Sequence, residues 1–214
     1  MATSLSLEND SSLAQGYIKV NGTTAATLTT SGITGNLTGN VTGNVTGNVT
    51  GSLTQGGSLT LATAQIASGT AVDFNGIPSW AKRITVMLNQ VSFSGISAPL
   101  IRLGTSSGFV SSGYNSDSSG STASGNTLAS STVGHIILSP SNAGFNYIGS
   151  IVFNNVSSNI WVGNGITYYG AAGGTISVHT SIVNIGSTLD RLRITTTNGT
   201  DTFDDGTINI SYEG

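Results

Sequence analysis

Cysteine is absent from this 214-residue chain. Its absence excludes disulfide stapling and Cys-based metal or redox chemistry. Charge is scarce as well: Asp, Glu, Lys and Arg make up 7% of the residues, where about a quarter is usual. The net charge is −3, and the six basic residues form no cluster beyond Lys82-Arg83 and Arg191/Arg193. That leaves no electrostatic footprint for nucleic acid. Proline occurs three times and histidine twice. No apolar run approaches the ~20 residues of a membrane-spanning helix, so membrane insertion is not expected. The first residues, Met-Ala-Thr-Ser-Leu-Ser-Leu-Glu, lack a basic region followed by an apolar one, so no signal peptide is expected.

Ser, Thr, Gly and Asn stand where charges are missing, and glycine alone numbers 30. Hydrophobic residues make up 37% of the chain and its mean hydropathy is +0.15. These values separate it from disordered acidic or basic chains. Few charges and many β-branched residues suit extended β-structure.

Residues 32–54 are organised in tetrads of the form Gly-Asn-Val-Thr. Ile33, Leu37, Val41, Val45, Val49 and Leu53 recur every fourth position, with glycines midway between them. Four is a multiple of the strand period, so in an extended chain the apolar residues and glycines share one face. Glycine and β-branched residues suit a helix poorly, and collagen needs glycine every third residue. One copy of this segment has no second layer to cover its Val/Gly face. Six apolar side chains do not offset the entropy of ordering the segment alone. Other copies of the same chain are the most economical cover, so the pattern predicts a homotrimeric β stalk with those six residues on its axis. The alternative is a flexible low-complexity linker, which has no need of an apolar residue in every tetrad. The sequons at Asn40, Asn44 and Asn48 read as by-products of the repeat.

Upstream, residues 17–20 and 25–30 read as strands around Asn21-Gly22, a strong hairpin signal. Downstream, residues 59–214 show short β-prone runs punctuated by Gly, Asn and Ser. Strands are expected over 59–67, 71–74, 83–93, 100–103, 135–138, 147–154, 159–162, 175–185, 191–197 and 207–212. In 191–197, Leu192 and Ile194 point inward and the two arginines outward. In 83–93, Ile84, Val86 and Leu88 share one parity while Val91 and Phe93 take the other, which predicts a β-bulge at Asn89-Gln90. Residues 105–132 are Ser/Gly-rich and read as an exposed loop or edge hairpin, with a short strand within 109–114. The fold class expected is all-β: an N-terminal attachment segment with a hairpin (1–31), an intertwined trimeric stalk (32–58) and a C-terminal jelly-roll-like β-sandwich (59–214).

The run Phe74-Asn-Gly-Ile-Pro-Ser-Trp-Ala-Lys-Arg-Ile-Thr-Val-Met-Leu-Asn-Gln-Val-Ser resembles a module of phage virion proteins, notably of cyanophages and other marine phages. Leu100-Ile-Arg-Leu-Gly and the terminal Gly206-Thr-Ile-Asn-Ile-Ser-Tyr-Glu belong to the same pattern. Gly16-Tyr-Ile-Lys-Val-Asn-Gly and the tetrads look like the stalks that precede such modules, and the tetrad spacing resembles the triple β-helix of tail needles. The resemblance implies a tail fibre or other virion appendage, or a capsid-bound fibre; joined with the tetrads, the first reading is a trimeric tail fibre or appendage whose head touches a host-surface glycan or a neighbouring virion protein. Its runner-up is a capsid decoration or head-fibre protein. Other virion proteins would be contacted through the N-terminal region. The expected location is the particle surface, after assembly in the host cytoplasm. The resemblance brings no catalytic residue and no cofactor.

The residues themselves give little chemistry. No Gly-x-Ser-x-Gly elbow accompanies the many serines, and no enzyme is expected. His179 lies on the parity opposite Ile176 and Val178, which predicts an outward imidazole; His135 opens a strand. Asp201, Asp204 and Asp205 form the densest carboxylate group. They read first as turn chemistry and only weakly as a calcium site. Aromatic rings stack on sugars when exposed. Tyr114 with Asn115 and Asp117, and Trp161 near Tyr168 and Tyr169, are the candidates for glycan contact; packing in the core or at a trimer interface is the alternative. Trp80 reads as a core plug.

Overall fold

The computed structural model describes residues 5–10, 15–20, 23–29, 32–34, 59–122, 125–140, 142–170 and 174–214. The chain divides into two compact units, Met1–Gly51 and Ser52–Gly214. Every regular element among the described residues is a β-strand and every strand pairing is antiparallel.

The first unit is a four-stranded sheet in chain order: β1 (Leu5–Asp10), β2 (Gln15–Val20), β3 (Thr23–Thr29) and β4 (Gly32–Thr34). Val20 pairs with Thr23, as a two-residue connection at Asn-Gly requires. Strands flank the expected hairpin on both sides. Ile33, expected to open the stalk, lies in β4 opposite Leu28 of β3. Leu37, Val41, Val45, Val49 and Leu53 lie outside the described residues.

The second unit begins with β5 (Thr60–Leu61), β6 (Gln65–Ile66), β7 (Val72–Asn75) and β8 (Arg83–Phe93). It continues through β9 (Pro99–Thr105), β10 (Gly108–Phe109), β11 (Asn115–Thr122), β12 (Gly125–Ser131) and β13 (His135–Ile136). It ends with β14 (Tyr147–Ser157), β15 (Ile160–Tyr169), β16 (Thr175–Asn184), β17 (Arg191–Thr196) and β18 (Phe203–Glu213). The large sheet runs β12-β11-β16-β15-β14-β8-β18-β5, with β6 also on β18. The small sheet runs β10-β9-β17-β7, with β13 on β9.

The two sheets enclose one apolar core. Phe74, Leu103, Leu192 and Ile194 enter it from the small sheet, and Ile84, Val86, Ile151, Phe153 and Ile208 from the large one. Alternation decides these faces: in β17 Leu192 and Ile194 are buried while Arg191 and Arg193 lie outward. In β8 the buried parity switches after Asn89 and Gln90, and the register with β14 shifts there. Gln90 takes φ 55°, the left-handed turn that lets one extra residue fit into the strand.

The Ser/Gly-rich stretch is a hairpin. Strands β11 and β12 pair over seven positions at the end of the large sheet, and β11 pairs with β16 over another seven. Its serines stabilise it through hydrogen bonds: buried Ser116 Oγ donates to Thr180 O (3.1 Å) and accepts from Ile136 N (2.9 Å). Strand β15 extends seven residues past the expected 159–162, through Gly163 and Gly165.

Asp73, inconspicuous in the sequence, ties three strands of the small sheet together. Arg193 donates to it from Nε and Nη2, each at 2.7 Å, and the same guanidinium lies 4.3 Å from the Phe109 ring centroid. Both side chains are about one-third exposed, which screens the pair; the two-pronged geometry offsets part of that. Asp73→Asn is expected to cost about 1 kcal/mol in urea unfolding, with 0.5 M NaCl reducing the difference from the parent.

Candidate functional site

The proposed sugar platform does not form. Tyr114 is 3% exposed, and its hydroxyl accepts a hydrogen bond from Leu103 N at 2.8 Å. Burial pushes its pKa up to about 12, against the smaller opposing effects of that hydrogen bond and of Arg102. Trp161 is likewise 3% exposed and belongs to the core. Asn115 and Asp117 do face solvent, and Asp117 Oδ1 accepts from Ser130 Oγ at 2.6 Å. The strand parity explains the split, because Tyr114 and Trp161 fall on inward positions. Tyr169 is buried and Tyr168 half-buried. Trp80, expected as a core plug, is 40% exposed and leans on Tyr212 at 5.6 Å between ring centroids.

The three carboxylates of 201–205 serve separate local partners. Asp201 accepts from Asn198 Nδ2 (2.7 Å) and Ser97 N (3.0 Å), which hold its pKa below the usual carboxylate range. Asp204 accepts from Ser92 Oγ, and Asp205 Oδ1 from Gly206 N at 2.7 Å. No group of three or more His, Asp and Glu side chains is arranged to hold a metal ion among the described residues.

The large sheet carries its unusual surface over β14, β15, β16, β11 and β12. In β16 burial alternates strictly, and the sense is inverted. Thr175, Ser177, His179 and Ser181 point into the sandwich, while Ile176, Val178 and Ile182 are 61%, 53% and 45% exposed. Register aligns these with outward neighbours: Ile176 with Tyr168, Val178 with Ile166, and Ile182 with Val162. Ser119 links Val178 to Leu128, and Ile148 lies beyond Tyr168. A groove of about 430 Å³ runs between Leu128 and Val178, bordered by Asp117, Ser130 and Thr180. A second, of about 410 Å³, lies across Val152, Ile166 and Val178. Such a face left open to water is the informative deviation from ordinary burial.

Beneath β16 and β11, the inner side is mostly polar. His135 Nδ1 lies 2.7 Å from Ser181 Oγ, and His135 Nε2 lies 2.8 Å from His179 Nδ1. Thr167 Oγ1 and Ser177 Oγ are 2.8 Å apart. Two ring nitrogens at hydrogen-bond distance share one proton between them, so one ring donates and the other accepts. Burial lowers the pKa of both imidazoles, His179 to about 4 and His135 well below its ordinary value, where His179 adds to the effect. Among the described residues, His179 Nε2 and Ser118 Oγ are buried without a hydrogen-bond partner.

The expectation of an outward His179 is therefore corrected. The inner side has room for its ring because the neighbouring strand has glycine there: a Cβ on Gly165 would lie 2.5 Å from His179 Cε1. Gly163 gives Phe153 and Ser181 the same clearance. Ser181, His135 and His179 resemble a hydrolase relay in composition. Ser181 is only 4% exposed and His135 fully buried, so the chain of hydrogen bonds is enclosed between the sheets. The signal for this cluster was the pair of glycines two apart opposite a histidine strand.

Comparison with protein-family models, with curated proteins and with solved structures gives no match.

Proposed function

We propose that this chain is a structural protein of a phage virion, a homotrimeric tail fibre or appendage. In this reading the tetrads form its intertwined stalk, and the second unit is a jelly-roll-like head that meets a host-surface glycan. It works by assembly and adhesion and has no catalytic step. The observation that carries the reading is the outer face of β14–β16, where Ile148, Ile166, Ile176, Val178 and Ile182 stand in water although β16 turns mostly polar side chains inward. A chain that acts alone gains nothing from this arrangement, whereas one of several copies does. The one-sided tetrads support the same conclusion from the sequence.

A capsid decoration or head-fibre protein is the second reading. It is favoured by the burial of Tyr114 and Trp161, which removes the rings that would stack on a sugar.

Sedimentation of the full-length chain tests the shared part. The parent is expected at three times the chain mass. Val45→Asp sets three carboxylates around the stalk axis, where desolvation and mutual repulsion oppose assembly; it is expected to shift the mass toward monomer. A monomeric parent, or an unchanged trimer in the variant, overturns the stalk. Labelling intact particles with an antibody to the second unit separates tail from capsid.

A further inference from the structure

We propose that the outer face of β14, β15, β16, β11 and β12 is the surface through which the heads of neighbouring copies of this chain pack against one another. This rests on the multi-copy reading and adds to it where the copies meet outside the stalk.

Among the described residues, six of the thirteen exposed large apolar residues lie on this one face: Leu128, Ile148, Ile166, Ile176, Val178 and Ile182. The other seven are spread over other elements or lie at a bulge. Ile166 and Val178 are direct cross-strand partners in the middle of the patch, so they form its natural centre of contact.

The occupant follows from charge and size. Among the outward positions of these five strands the only charged residue is Asp117, close to the sheet's end. A face with one peripheral charge meets its own copy without the like-charge repulsion that usually keeps identical surfaces apart. It also offers no charge pattern by which a distinct protein would be selected. Five strands about 4.8 Å apart and about nine residues long at ~3.3 Å each give a patch of roughly 700 Å². That is close to the ~800 Å² per partner of a standard stable interface. Ser, Thr and Asn between the apolar side chains supply hydroxyl and amide groups that a second copy supplies in turn, as interfaces with apolar centres and polar rims do.

The natural absence of cysteine makes the test direct, because any introduced thiol is the only one. Ile166→Cys and, separately, Val178→Cys are made in the full-length chain, with Ser187→Cys in an exposed turn as the reference. Unchanged tryptophan emission verifies that each head is folded, since Trp80 and Trp161 both lie there. In the assembled protein, the face thiols are expected to react with a maleimide at least about tenfold more slowly than Cys at 187, because labelling needs access to the thiolate. Face thiols as reactive as the reference in a chain that sediments as a trimer would overturn this inference and leave the trimer standing. Reactive thiols in a monomeric chain would overturn both. Protection in a monomeric chain would mean that another part of the same chain covers the face, and the inference would again fail.

Discussion

Lowering the pH from 6.5 to 4 is expected to weaken the head by about 3 kcal/mol through His179 alone. In the folded state its pKa is about 4, against an ordinary value of 6.5, because burial disfavours the charged ring. The sign follows from which state binds the proton. Between these values the unfolded chain is protonated at this position and the folded one is not, so acid favours unfolding. The loss begins as pH falls below 6.5 and levels off below about 4. His135 is shifted in the same direction and deepens the loss. Tyr114 and Tyr147, the other shifted groups in the core, have raised values and do not titrate in this window. Asp201 is lowered from 3.8, so its own contribution falls away only below that range. Urea unfolding followed by tryptophan emission at pH 7.5, 6, 5 and 4 measures the slope. His135→Asn combined with His179→Gln is expected to remove most of it, and equal slopes in parent and double variant would refute the assignment.

Gly165→Ala is expected to destabilise the head by about 3 kcal/mol, the upper part of the range for overpacked cores. The added methyl would sit 2.5 Å from His179 Cε1, 2.6 Å from Ser150 O and 3.0 Å from Ile151 Cα. The imidazole can retreat, but the Ser150 carbonyl and the Ile151 backbone belong to the adjacent strand and cannot move alone. Either β14 and β15 separate locally or the histidine chain breaks. Asn164→Ala, one residue away on the outward side, is the matched control and is expected to change stability by less than about 0.5 kcal/mol. The difference in urea midpoint between the two variants is the measurement. Equal midpoints would mean that the glycine is not what admits the histidine.

The same strands show what the sequence made legible and where it misled. Strand β17 was readable because charge and apolarity alternate, so only one face can enter a core. The bulge in β8 was readable because its apolar parity switches within one strand. Strand β16 alternates as clearly, and yet its sense is inverted: Ile176, Val178 and Ile182 look like an inward set. Alternation separates two faces, but it does not say which one the second sheet covers. That depends on the partners, here the glycines of β15 and the serines of β11, which are brought alongside only by folding. Strands β11 and β12 were hard to read for a related reason. Ser and Gly have weak strand propensity, and what holds them is pairing and buried hydroxyl bonds to distant residues. The ring candidates failed on parity: Tyr114 looked solvent-facing because its surroundings are polar, but its own position points inward. Asn115 and Asp117, in the same stretch, are exposed as expected.

Strand β16 thus lacks an idle side. On an ordinary surface strand every second residue touches only water and can drift. Here Ser177, His179 and Ser181 point inward at hydrogen-bonding distances, so these positions accept neither bulk nor loss of polarity. The apolar outward positions, once copies are in contact, accept neither charge nor much change of shape. A sequence diverging under these two constraints would vary at Thr180 and Asn184, the polar outward positions. Strand β16 would keep its alternation while the residues around it are replaced, so two remote descendants could share this strand's pattern and little else.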